Sequence, residues 1–290
     1  VGIGKIEKRV VRPDPRLWAP LGPVGSEGKN GMKMIFSLWV FMLGAAIGSF
    51  LNVCIVRLPQ GKSLVRPGSH CPRCGKAVRP YDNIPLVSYL ILRGRCRDCK
   101  GPISPRYFLV ETATALLSVA IVRNFGPTLE AGVYFVLFCA LLVIIFIDLD
   151  TFTIPDVITL PGMIAGLGAS LLLPRMGILR SAVGLVAGGG ILFIVAIGYQ
   201  MLRKREGIGG GDIKLLAMIG SFLGLQGVIF TLFASSLVGA LAGFLLMVRQ
   251  KSGGATMIPY GPFLSLAAMG YVFWGPALIQ WYLFRLGGPT

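Results

Sequence analysis

The chain has 290 residues, of which 54% are hydrophobic and only 14% charged, with a mean hydropathy of +0.74. That balance excludes an ordinary water-soluble domain. The net charge of +16 raises nucleic acid as a partner, but no basic face interleaved with base-stacking or base-reading residues accompanies it, so no nucleic-acid role is expected.

Residues 1–33 are rich in Pro and Gly, hold seven Lys/Arg, and are expected to form a poorly ordered N-terminal extension. Their basic part lies far from the first apolar run, unlike a cleavable signal peptide. Apolar stretches then follow at about 34–56, 107–122, 129–147, 157–173, 178–202, 213–225, 227–248 and 258–284. Several reach the roughly 20 residues that span a bilayer. The expected fold is an all-α polytopic membrane protein with about eight transmembrane helices. One small insert, 57–106, separates the first helix (34–56) from the membrane domain (107–290).

Charge sets the orientation. The insert holds eleven Lys/Arg, and Arg203, Lys204, Arg205, Lys214, Arg249 and Lys251 lie in loops on the same side by helix parity. The opposite loops and the C-terminus hold only Arg123, Arg175, Arg180 and Arg285. This bias places the basic loops in the cytoplasm, against anionic membrane lipid. The same parity leaves 1–33 on the far side.

Within the insert, Cys71-Pro72-Arg73-Cys74 and Cys96-Arg97-Asp98-Cys99 form two C-x-x-C knuckles 21 residues apart. This is the spacing of a four-thiolate zinc ribbon, with Gly75 and Gly101 just past each second thiol allowing a tight turn. Two disulfides are the other reading, which a reducing cytoplasm disfavours. An insert of about 50 residues has little core of its own, and a closed four-Cys metal site supplies folding free energy instead of catalysis. His70, the only histidine, is expected outside the ligand set. Cys54 and Cys139 sit in apolar runs and are expected to pack.

Two acids stand at ends of apolar helices. Asp148 closes the run 135–147, and Asp212 follows Gly209-Gly210-Gly211. Ionisable groups at membrane depth are costly and point to function. Parity brings both to the cytoplasmic face. If they meet at about 4 Å, their charges repel by roughly 4 kcal/mol at an effective dielectric near 20, so the pair holds a single proton. That arrangement activates water and protonates a departing amine. Each also has a plainer reading, as a helix-end residue or an N-cap. Asp150 and Asp156 are expected to be interfacial or capping residues, and Glu111 a structural one. Lys214 is either an interfacial anchor or a counter-charge. The five acids Asp148, Asp150, Asp156, Glu206 and Asp212 are together expected to form an acidic mouth that receives a basic peptide.

Taken together these segments resemble the type IV prepilin peptidases of bacteria, the bifunctional leader peptidase/N-methyltransferases. The similarity runs in order through Gly48-Ser49-Phe50-Leu51-Asn52-Val53 with Arg57-Leu58-Pro59, then the knuckles enclosing Asn83–Leu90 and Arg93–Arg97, then Ile103–Tyr107. Asp148 starts D-x-x-x-x-x-I-P-D, Asp212 ends G-x-G-D, and Pro259-Tyr260-Gly261-Pro262-Phe263 resembles the last motif. The resemblance implies a membrane aspartic endopeptidase of the bacterial inner membrane, its active site facing the cytoplasm. It implies Asp148 and Asp212 as the catalytic pair and prepilins or pseudopilins as substrates, cut after a basic leader. It also implies S-adenosylmethionine as methyl donor for the new N-terminus, bound near the insert, and structural zinc on Cys71, Cys74, Cys96 and Cys99. The competing class is a proton- or cation-coupled transporter, which also uses paired carboxylates. Such a protein would place them near mid-bilayer, commonly within an internal repeat.

Overall fold

A computed structural model describes residues 30–173, 177–204, 209–250 and 258–287. Eight α-helices follow in order: α1 Asn30–Arg57, α2 Val87–Ile91, α3 Pro105–Phe125, α4 Leu129–Thr151, α5 Asp156–Leu172, α6 Ile178–Arg203, α7 Gly210–Gln250 and α8 Gly261–Gly287. No strand occurs among the described residues, only two isolated bridges in the insert. The expected extension 1–33 lies outside them, except where α1 begins.

Six helices (α1, α3, α4, α6, α7, α8) are long and apolar enough to cross a membrane, and α5 is a shorter apolar helix. All eight apolar stretches expected from the sequence are helical, but two of them are joined. Helix α7 runs through 41 residues with Gly224 at φ 71° and ψ −176°, a conformation no helix contains. Glycine reaches it without a Cβ penalty. The sixth and seventh stretches therefore meet at Gly224 within one element.

The middle of the bundle is α4, half of whose most apolar window is buried. Its Leu137, Leu141, Ile144 and Ile147 join Leu215, Leu216, Met218 and Ile219 of α7, with Leu264 and Ala268 of α8, in one apolar core. Outside the core, large side chains such as Leu171, Leu179, Ile194, Phe233 and Phe244 are exposed. This inside-out pattern suits lipid, which is as apolar as the side chains it touches.

In lipid, close packing takes over from the hydrophobic effect as the force between helices, and small residues permit it. On α1, Gly44 faces Ser118 and Gly48 faces the Glu111 backbone of α3, where an added Cβ would lie 2.7 Å from Cα. One turn on, Asn52 Nδ2 donates to the Tyr107 carbonyl at 3.1 Å. On α6, Gly184 meets the Gly220 backbone and Gly188 the Leu216 backbone of α7. Both helices thus carry a glycine pair spaced by four on the face that meets its partner.

Candidate active site

Helix α4 starts at Thr128, whose hydroxyl accepts from Ala131 N–H, an N-cap bond. It ends at Phe152, which adopts a left-handed φ of 54° and donates its N–H to the Asp148 carbonyl at 2.9 Å. Pro155 then precedes α5, with Asp156 in its first turn as expected. Asp148 therefore sits one turn inside the end of α4 and is only 4% exposed. Its Oδ2 accepts the backbone N–H of Gly261 at 3.0 Å.

Asp212 lies in the first turn of α7, its N–H donating to Gly209 carbonyl at 3.1 Å. Its carboxylate takes a backbone hydrogen bond from Gly209, while Oδ1 is buried with no hydrogen-bond partner among the described residues. An uncompensated buried oxygen is costly, and such groups concentrate where water or substrate belongs. Asp212 lies close enough to Asp148 to feel its charge. Ile154 is wedged between their supports. A Cβ on Gly211 would fall 2.9 Å from Ile154 Cβ, and one on Gly261 would fall 3.1 Å from Ile154 Cδ1 and 2.6 Å from Asp148 Oδ2. Three chain segments from three sequence motifs therefore converge on one point.

The neighbouring acids have other partners. Asp150 pairs with Arg106 at the start of α3. Asp156 accepts both its hydrogen bonds at 2.7 and 2.8 Å from Lys214 Nζ. Two of the acids proposed for an acidic mouth are thus already neutralised by cations of this chain, and Glu206 lies outside the described residues. Lys214 is a counter-charge.

In the insert, the Sγ atoms of Cys71, Cys74, Cys96 and Cys99 all lie within 4.8 Å of one another, and none is in a disulfide. Cys71 and Cys99 Sγ are 3.8 Å apart, close to the roughly 3.8 Å edge of a tetrahedron with Zn–S bonds of about 2.3 Å. His70 faces the Gly68 carbonyl and stands outside the set. The knuckles share one backbone pattern. Cys71 N–H donates to the Lys76 carbonyl and Gly75 N–H to the Cys71 carbonyl, as Cys96 N–H does to Gly101 and Lys100 N–H to Cys96. The left-handed positions are consequently Gly75 and Lys100. Gly101 serves a different purpose from the turn expected of it: an added Cβ would approach Arg73 Cδ to 2.6 Å across the knuckles.

The insert is fixed to the bundle by buried Glu111, whose Oε2 accepts Leu86 N–H at 2.8 Å. Leu86 holds φ 63° there. Tyr89 stacks on Phe108 with centroids 5.3 Å apart. Cys54 is buried and Cys139 half-buried, and both pack with the apolar core.

The sequence signal for Asp148 and Asp212 was their chemistry in an apolar setting. The role of Gly261 had no local signal, because its partner is 113 residues away.

Two family descriptions match this chain: "Bacterial Peptidase A24 N-terminal domain" over residues 42–125 and "Type IV leader peptidase family" over residues 135–244. Similar proteins include prepilin leader peptidase/N-methyltransferases of Aeromonas hydrophila, 37% identical over 88% of this chain and 96% of that protein, and of Pseudomonas aeruginosa, 39% identical over 86% and 94%. A third, from Myxococcus xanthus, is 42% identical over 76% of this chain and 66% of that protein. No solved structure matches. With both domains in order and full-length relatives at this identity, the chain belongs to the type IV leader peptidase family, in its bifunctional peptidase/N-methyltransferase branch.

Proposed function

We propose that this chain removes the basic leader of type IV prepilins or pseudopilins with Asp148 and Asp212 as its catalytic pair, and then N-methylates the exposed N-terminus. The observation that supports the peptidase step is that Asp148, held by Gly261 N–H, lies within reach of the charge of Asp212, whose Oδ1 is buried and unpaired. A pair sharing one proton takes a proton from water as it attacks the scissile carbonyl and returns one to the leaving amine. The Gly261 bond fixes Oδ2 of Asp148 and leaves Oδ1 for that water. Because both acids lie within about a turn of a helix end, the scissile bond need only reach the membrane surface layer. That depth and the peptidase relatives favour this reading over a carboxylate-coupled transporter. The basic insert and the basic ends of α6 and α7 support a multi-pass protein of the bacterial inner membrane with this site at the cytoplasmic face.

The four thiolates fit structural zinc, which would supply folding free energy to the insert. The methyl donor implied by the family is S-adenosylmethionine. A basin beside the second knuckle, lined by Arg93, Arg95, Arg97 and Lys100, does not suit it, since the donor carries a sulfonium and an ammonium against one carboxylate.

The test is cleavage of a prepilin by the purified, lipid-reconstituted chain. Asp148→Asn and Asp212→Asn should each lower cleavage by about a thousandfold or more, with helix content and methylation of pre-cleaved pilin retained. Normal cleavage by either variant would sink the pairing.

A further inference from the structure

The insert carries a feature that neither cleavage nor zinc uses. A basin of about 510 Å³ beside the second knuckle is lined by Ile91, Leu92, Arg93, Arg95, Cys96, Arg97 and Lys100. We propose that it binds the headgroup of an anionic phospholipid, with Leu90 and Ile91 of α2 facing the acyl chains.

Depth is the first support. Helix α2 is held to α3 through Leu86 on Glu111 and Tyr89 on Phe108. Glu111 lies six residues into α3, about 9 Å along the helix from Pro105. The insert therefore rides beside the first turns of a membrane span instead of standing above it in water. In α2 itself, Leu90 is 62% and Ile91 70% exposed. An apolar edge at this level, next to cations, is the pattern of an interfacial membrane contact.

Charge is the second. No acid lines the basin. Of its four cations, Arg97 is committed to Asp82, donating through Nε and Nη2. The insert's other acid, Asp98, pairs with Lys76 and Arg79 instead. Arg93, Arg95 and Lys100 remain for an external anion. Guanidinium forks match phosphate oxygens in geometry as well as charge.

The basin is also built, not draped. Arg93, Gly94 and Lys100 hold left-handed φ angles. Backbone bonds from Gly94 N–H to Tyr89, Arg95 N–H to Leu92 and Ile103 N–H to Gly94 fix the loop that displays them. A free phosphate would satisfy the cations but leave the apolar edge in water. A phospholipid satisfies both.

The experiment uses the full chain in phosphatidylcholine vesicles doped with photoreactive phosphatidylglycerol or photoreactive phosphatidylcholine. Labelling of residues 87–100 by the glycerol lipid, little by the choline lipid, and no displacement by inorganic phosphate is the expected result. The variant Arg93→Gln/Arg95→Gln/Lys100→Gln should lose this labelling by about tenfold while keeping its zinc. Equal labelling by both lipids, labels confined to other segments, or displacement by inorganic phosphate would overturn the assignment. Because the unaltered chain alone yields each of these results, the assignment stays falsifiable if the variant does not fold.

Discussion

Asp148 and Gly261 are joined side chain to backbone, Oδ2 accepting from N–H at 3.0 Å, so the last sequence motif acts by orienting the first acid. Gly261→Ala would put a methyl group 2.6 Å from that oxygen and 3.1 Å from Ile154 Cδ1. Displacing a catalytic group by about 1 Å costs on the order of 100-fold in rate. Cleavage by Gly261→Ala should fall by about that factor while the thermal midpoint moves little. Initial rates on one prepilin, beside a melting curve, check it.

Lys214 and Asp156 tie the start of α7 to the start of α5, two residues beyond Asp212. Their side chains are 41% and 53% exposed, and such pairs contribute at most about 1 kcal/mol. Asp156→Asn should therefore cost no more than about fivefold in cleavage. The exchange Lys214→Asp/Asp156→Lys should recover most of that loss. A double-mutant cycle on cleavage rates measures the coupling; no recovery would mean that Asp156 meets the leader directly.

Gly184 and Gly220 touch backbone to backbone, each occupying the space where the other's Cβ would stand. Gly184→Ala should part α6 from α7 and destabilise the bundle by about 1–3 kcal/mol, the usual cost of overpacking. Unfolding in mild detergent by a denaturing one would read the difference.

Removing one thiolate should release the metal. Cys71→Ser is expected to lower bound zinc from about one ion per chain to near none, and to open the insert to protease between residues 60 and 105 while the spans remain helical. Metal analysis and limited proteolysis check both halves.

Asp82 gives the insert a pH dependence. The hydrogen bonds from Arg97, with its positive charge, hold the Asp82 carboxyl below its ordinary value, outweighing the opposing effect of desolvation. A depressed folded pKa stabilises at pH above the unfolded value, about 3.9, and that contribution fades as pH falls through the folded value. Amide protection factors in the insert, referred to the intrinsic exchange rate at each pH, should fall on acidification through this window, and Asp82→Asn should show less of the fall. Equal pH profiles in the two proteins would exclude the pair as its source.

The sequence exposed what depends on composition and short spacing. Hydropathy gave the helices, and chemistry out of place picked Asp148 and Asp212. The thiol spacing gave a cluster that fits a metal. Long-range geometry was hidden. Nothing near Gly261 announces a bond to Asp148, and the choice between anchor and counter-charge for Lys214 needed the position of Asp156. Local conformation misled once, since the left-handed turn of the second knuckle falls on Lys100, a residue with no preference for it. The acidic mouth shows a related limit: counting acids says nothing about which cations of the same chain lie against Asp150 and Asp156.

The glycine contact between α6 and α7 has a further result for the reaction. Gly220 follows Asp212 by eight residues, about 12 Å along the helix, and its backbone is seated against Gly184. Sliding α7 along α6 would bring residues that carry a Cβ against the backbone that Gly184 and Gly220 now touch. The notch therefore works as a depth stop, holding the Asp212 carboxylate at one level in the bilayer. On the role proposed for Asp212, a substrate helix must bring its scissile bond to that level, which would make the length between its apolar segment and its cleavage point a quantity that the enzyme measures.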